Sequence, residues 1–332
     1  MKPNAVYLIN QADAPDVFGP DEHRDLLNEV EFLLPPMEPA EVLKQRDALR
    51  HVKVIFSGWG APPLNAANLA LMPALRAVFH AGGSVKFLVS DALWARGIRV
   101  SSAGQKNAIP VAEFTLSQII FCLKHGWQRV AQYREKKSYD RNAPHMPGAY
   151  RSTVGLLSLG HSGRLVAELL RILDVNIIAY DPFVPASEAA ELGVKLVSLE
   201  TVFAAADVVS CHTPHLPSTT HMLRRQHFDS MKPGASFINT ARGGVVHEPE
   251  LVSVLKRRTD LFAVLDVTDP EPPPPDSILF KLPNVVITPH IAGSLGNECR
   301  RLGRMAIDEF RRYVRGEPLL GEVTPHELAL KA

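Results

Sequence analysis

One segment of this chain has the residue types and spacing to hold a dinucleotide. Ser158-Leu159-Gly160-His161-Ser162-Gly163 leads from an apolar, strand-like run into a helical pattern. It follows the Gly-x-Gly-x-x-Gly arrangement that brings backbone close to a pyrophosphate, with Ser158 in place of the first glycine. Gly160 would admit the pyrophosphate and Gly163 would let helix pack on strand, while the first turn, with His161 and Ser162, offers amide donors. Serine tolerates positive φ poorly, so Ser158 departs from the pattern at a position where glycine is easiest. Asp181 ends the next apolar run, 21 residues beyond Gly160, where an acidic side chain binds a ribose 2′-hydroxyl. No Arg or Lys follows it closely, so a 2′-phosphate would meet repulsion and NAD is favoured over NADP.

Three further segments hold groups suited to catalysis. They are Asn239-Thr240-Ala241-Arg242-Gly243-Gly244, Asp266-Val267-Thr268-Asp269-Pro270-Glu271-Pro272 and Thr288-Pro289-His290-Ile291-Ala292-Gly293-Ser294. Each stands where an apolar run gives way to a loop, the edge that lines the ligand crevice of an open parallel sheet. Histidine suits proton transfer near neutral pH, and the planar fork of arginine suits a carboxylate. Singly, a histidine after proline, an Arg-Gly turn and a glutamate in a proline run are ordinary surface features. Only their order and spacing make a site. His212, His215, His221 and His227 show no metal-ligand spacing and read as structural or peripheral, with His212 next to Thr213 at a strand end. No metal is expected.

The elements that must position these groups follow from hydrophobic period. Val6–Ile9, Val52–Phe56, Ala77–Phe79 and Ile98–Ser101 read as strands, with helices over 21–30, 38–49, 64–71 and 89–96. Asn65 and Ser90 stand as N-caps. A helix over Val111–Lys124 leads to a second series with strands at Thr153–Leu159, Asn176–Tyr180, Val208–Cys211, Ser236–Asn239, Leu261–Asp266 and Val285–Ile287. Helices are expected at Gly163–Leu173, Glu248–Lys256 and Glu298–Val314, and the polar stretch Gln132–Tyr150 reads as a loop or arm. Alternating strands and helices imply an α/β fold of two doubly wound parallel sheets, Rossmann-like lobes with a cleft that a ligand would occupy.

The bulk numbers agree with two such lobes. The 332 residues are 46% hydrophobic and 21% charged, ordinary globular values at about 150 residues per domain. Lys+Arg number 36 against Asp+Glu 35, so no broad field attracts nucleic acid or an anionic membrane. Cys122, Cys211 and Cys299 form no Cys-x-x-Cys pair and read as reduced, buried thiols of a cytoplasmic protein. No signal peptide and no apolar run long enough to span a bilayer are read.

The three strand-end segments, with Cys211-His212-Thr213-Pro214-His215-Leu216-Pro217-Ser218-Thr219-Thr220, resemble the D-isomer-specific 2-hydroxyacid dehydrogenases, the phosphoglycerate dehydrogenase-like group. The ordered set Arg-Gly-Gly, Asp-x-x-x-x-Glu-Pro and Pro-His-Ile-x-Gly carries the resemblance, densest over 153–294. It implies hydride transfer between NAD(H) and C2 of a 2-oxo or 2-hydroxy acid, with D stereochemistry. By resemblance His290 gives the proton, Glu271 holds the histidine ring, and Arg242 binds the carboxylate and polarises the carbonyl. The same likeness places Thr213, Thr240, Ala241, Arg242, Asp266, His290 and Gly293 against NAD, and Gly82, Gly83 and Ser84 against the substrate carboxylate. Trp59 could line the pocket or pack in the core. The family pattern makes 1–104 with 295–332 the substrate lobe and 105–294 the cofactor lobe, with a homodimer formed through the arm and no C-terminal regulatory domain.

Three alternatives stay open at this point. A phosphite-type dehydrogenase has the same fold; formate enzymes carry Gln where Glu271 stands. An NAD(H)-sensing, corepressor-type binding protein would retain Arg242, Glu271 and His290. A methyltransferase on a nucleotide fold would give those three residues no task. Lys86 and Phe114 depart from the residues common in the family, so the particular acid is not read.

Overall fold

The computed structural model describes residues 2–138 and 146–328. The chain divides into two compact units, Met1–Ala108 with Ser294–Ala332, and Ile109–Gly293.

The first unit is built on a sheet of β1 (Asn4–Leu8), β2 (Glu31–Phe32), β3 (Val54–Ser57), β4 (Ala77–His80) and β5 (Arg99–Ser102). Its order is β2-β1-β3-β4-β5 and every pairing is parallel. Such strands are covered on both faces, which is why β3 and β4 are buried throughout. One face carries the aromatic cluster of Tyr7, Phe18, Phe56, Phe79 and Phe310. Phe310 belongs to the helix Cys299–Val314, so the last long helix completes the core that the first strand begins. Burying such a side chain stabilises by about 1.5–3 kcal/mol. Ion pairs from Arg300 and Arg304 to Glu22, and from Arg311 to Glu29, clamp that helix to α1 (Pro20–Glu29). Asn65 and Ser90 cap their helices, accepting from the Asn68 and Leu93 amides. The helix read over 38–49 is two short turns, Pro39–Val42 and Arg46–Leu49, because Gln45 leaves helical geometry.

The second unit has β6 (Thr153–Leu157), β7 (Asn176–Tyr180), β8 (Lys195–Leu196), β9 (Val208–Cys211), β10 (Ser236–Asn239), β11 (Phe262–Leu265) and β12 (Val285–Ile287). The order β12-β11-β10-β9-β6-β7-β8 is parallel throughout. The chain winds outward from β6 to β8, then returns to β9 and winds the other way. The β6/β9 boundary is therefore the switch point at which ligands of open sheets bind. The helix α2 (Gly104–Leu123) starts earlier than the sequence pattern indicates and contains Pro110. A further helix, α3 (Gly126–Lys136), takes up the beginning of the stretch read as an arm; residues 139–145 of that arm lie outside the described residues. Among the described residues, no helix is long and apolar enough to cross a membrane.

Candidate active site

The phosphate-type turn follows β6 and opens α4 (His161–Leu170). Gly160 is the N-cap residue and, lacking a side chain, cannot itself accept from the first-turn amides, and a helix start of this kind suits an anion. A Cβ on Gly160 would meet nothing nearer than Ser158 Oγ at 3.8 Å, so the space above it is open to a ligand. A Cβ on Gly163 would lie 2.1 Å from the Ser158 carbonyl oxygen, so helix and strand close only on glycine. Ser158 adopts φ +76° despite its side chain. Its hydroxyl points to Asp181 Oδ2 at 3.3 Å, and the Leu159 amide donates to the same oxygen at 2.7 Å. The Phe183 and Val184 amides donate to Asp181 Oδ1. Asp181 is thus fixed at the end of β7 beside the turn. A dinucleotide fits these residues: open backbone at Gly160, a helix N-terminus and a held carboxylate in sequence.

His212 lies beneath this turn, its Cβ 3.6 Å from where a Gly163 Cβ would stand. Burial lowers its pKa to about 4, so it is neutral at pH 7. Its Nε2 shares a hydrogen bond with Ser210 Oγ, while Nδ1 is buried with no hydrogen-bond partner among the described residues. Thr213 is buried at the end of β9. Thr240 is also buried, and its hydroxyl is engaged by Thr115 at 2.9 Å.

Arg242 follows β10 on a loop that Asn239 shapes. The Asn239 amide nitrogen donates to the Arg242 carbonyl at 3.0 Å, and its oxygen accepts from the Ala241 amide at 3.1 Å. The guanidinium donates to the Ala241 carbonyl and meets no carboxylate at ion-pair distance among the described residues. Burial pulls its pKa below the ordinary value, while the nearby Glu271 charge works against this. Arginine stays charged under such conditions, so this is a half-buried cation that can receive an anion.

The glycine after it is dictated by packing. A Cβ on Gly243 would lie 1.9 Å from the Thr268 carbonyl oxygen, on the loop that carries Glu271. Gly243→Ala should therefore force the two loops apart, at about 1–3 kcal/mol. Urea unfolding would show this loss, and turnover would fall with it.

Glu271 and His290 are brought together. Glu271 Oε1 is hydrogen-bonded to His290 Nδ1, with side chains 38% and 48% exposed respectively, so the pair is reachable by a ligand. His290 sits at φ +53° on the turn after β12. Asp266, 2% exposed, holds that turn: Thr288 Oγ1 donates to it at 2.6 Å, the Ile291 amide at 2.8 Å and the Ala292 amide at 3.0 Å. The sequence reading set Asp266 against NAD; here its carboxylate accepts three hydrogen bonds from the turn that presents His290. Gly293 follows directly and is half-buried.

Gly82, Gly83, Ser84 and Trp59 belong to the first unit. A Cβ on Gly82 would strike His80 Nε2 at 2.4 Å, so glycine is required over that buried ring. Burial lowers the His80 pKa to about 4. Trp59 is half-buried against the aromatic core. The sequence reading missed the holding roles of Asn239 and Asp266. An Asn ending a strand before a glycine loop was the one visible signal, since Asn side chains bond nearby backbone. Among the described residues, no group of three His, Cys, Asp or Glu could hold a metal ion.

Comparison with known proteins adds a family match. Residues 116–292 match the D-isomer specific 2-hydroxyacid dehydrogenase, NAD binding domain. A D-3-phosphoglycerate dehydrogenase of Archaeoglobus fulgidus is 34% identical over 249 residues, covering 75% of this chain and 47% of the relative. An (S)-sulfolactate dehydrogenase of Chromohalobacter salexigens is 35% identical over 269 residues, 78% of this chain and 87% of the relative. The chain spans about half the length of the phosphoglycerate dehydrogenases it matches. A phosphoglycerate oxidoreductase structure from Rhizobium etli superposes with a TM-score of 0.81 at 24% identity, over 98% of this chain and 99% of that one. The NAD-complexed D-isomer specific 2-hydroxyacid dehydrogenase of Lactobacillus delbrueckii ssp. bulgaricus gives 0.81 at 23% identity, over 97% and 100%. At such identities the structures establish the fold alone.

Proposed function

Because the chain belongs to the D-isomer specific 2-hydroxyacid dehydrogenase family and carries its NAD-binding domain, we propose that it interconverts a 2-oxo acid and the D-2-hydroxy acid. The observation that carries this reading is a His290–Glu271 pair with Arg242 nearby, a half-buried cation without an ion-pair partner among the described residues. A proton donor and a carboxylate receptor are what a 2-oxo acid requires.

NAD, when bound, supplies or accepts the hydride. The turn at Gly160, His161, Ser162 and Gly163 and the carboxylate of Asp181 would hold it, with Thr213, Thr240, Ala241 and Gly293 as further proposed neighbours. Arg242 binds the substrate carboxylate through its fork of donors. Glu271 occupies His290 Nδ1, which leaves Nε2 as the nitrogen that hands a proton to the carbonyl oxygen during reduction. In oxidation the same nitrogen takes the hydroxyl proton. By the family resemblance, Gly82, Gly83 and Ser84 are proposed as backbone donors to a substrate carboxylate. Relatives of this chain are named for phosphoglycerate and for sulfolactate.

The test is NADH oxidation against glyoxylate, hydroxypyruvate, pyruvate and phenylpyruvate, with NADPH in parallel. Turnover with NADH preferred supports the reading; retained NADH binding with no turnover on any 2-oxo acid turns it toward a cofactor-sensing protein. Asp181→Asn retains shape and removes the charge that repels a 2′-phosphate. It should narrow the NADH-over-NADPH preference by about 10-fold, the equivalent of about 1.4 kcal/mol, read from kcat/KM with each cofactor.

A further inference from the structure

The loop that carries Glu271 has few backbone donors of its own, and its internal bonds are those from Thr268 Oγ1 to the Pro270 carbonyl and from the Ser277 amide to the Pro274 carbonyl. Pro270, Pro272, Pro273, Pro274 and Pro275 have no N–H to donate. The Asp269 amide, two residues before Glu271, is a donor this stretch offers to its surroundings. It donates to Glu248 Oε2 at 3.0 Å. Glu248 is the first residue of α5 (Glu248–Arg257), on the segment that continues from Arg242 and Gly243. An acidic residue at a helix start ordinarily serves the helix dipole. Here the side chain is half-buried and reaches across to another loop. Asp269 Oδ2 also lies 3.4 Å from His221 Nε2, and the His221 amide donates to the Gly244 carbonyl at 2.8 Å. With the Thr268 carbonyl seated on Gly243, these contacts tie the Glu271 loop to the Arg242 loop.

We propose that Glu248 is a positioning residue: through the Asp269 amide it sets the loop that presents Glu271 to His290, and so aligns the proton donor with the Arg242 receptor. This rests on the reading of His290 and Glu271 given above. A displacement of about 1 Å at such a pair can cost up to ~10²-fold in rate.

Two conservative variants separate the tether from the helix dipole. Glu248→Gln keeps the reach and the acceptor oxygen without the charge. Glu248→Asp keeps the charge at the helix start and withdraws the acceptor. The expected result is kcat within about 3-fold of the parent for Glu248→Gln, and a loss of about 10-fold or more for Glu248→Asp and Glu248→Ala, with NADH affinity unchanged. Placed on His290→Gln, Glu248→Ala should add less than about 2-fold, because no ring remains to be aligned. A purely structural role would instead depress both backgrounds alike. A readout independent of turnover is the downfield Nδ1 proton of His290 in the NMR spectrum, assigned by its absence in His290→Gln. It should persist in Glu248→Gln and shift or vanish in Glu248→Asp. Equal damage from Gln and Asp, a full effect on the His290→Gln background, or an unmoved Nδ1 proton in Glu248→Asp would overturn the proposal. If the parent turns over no 2-oxo acid, the functional reading falls and the Nδ1 proton alone decides the positioning.

Discussion

His290→Gln is expected to lower turnover by about 10²-fold or more while NADH binding survives. Glutamine can donate a hydrogen bond but cannot give up a proton at neutral pH. The Glu271 carboxylate would still find a donor, so the loop should hold its place. The φ of +53° at this position adds a second consideration. Asn enters the left-handed region more readily than most residues. His290→Asn is therefore the companion variant, with less backbone strain and equally little proton transfer. Both should bind NADH as the parent does, measured by fluorescence titration, since the turn at Gly160 and Asp181 is untouched. An unchanged kcat in either would remove His290 from its role.

Arg242→Ala carries the second large effect. Arg242 is half-buried, and its neighbours Asn239 and Gly243 hold its loop, so little else can replace the charge. We expect kcat/KM to fall by about 10²- to 10³-fold, the range for removal of a preorganised charged donor. Both terms should move: KM rises because the carboxylate loses its receptor, and kcat falls because the carbonyl is no longer polarised. Arg242→Lys should recover only part, because a point charge does not reproduce the planar fork. Steady-state kinetics on the acid that turns over reads all three proteins. A loss confined to KM would make Arg242 a binding residue only.

The sheets were legible because the strands of a covered parallel sheet are short apolar runs. Val208–Cys211 and Ser236–Asn239 coincide with β9 and β10 for that reason. The two-residue edge strands Glu31–Phe32 and Lys195–Leu196 have too few residues to show a period. The members of the candidate site were legible from their order along the chain. What holds them was not. Asp266 reaches Ala292 and Glu248 reaches Asp269, pairs 26 and 21 residues apart, and nothing local marks them. Ser158 shows the limit of a propensity argument. The unfavourable φ is adopted, and a hydroxyl bond to Asp181 accompanies it, so tertiary context outweighs the local preference. Gly243 shows the reverse: its glycine was visible, and its cause, the Thr268 carbonyl, was not.

The most direct test follows the hydride. A single turnover with NADH dideuterated at C4 of the nicotinamide, on the 2-oxo acid that the panel selects, is resolved by chiral chromatography and mass spectrometry. The account predicts a D-2-hydroxy acid carrying the deuterium at C2. An L product, or a product with no deuterium at C2, would contradict it.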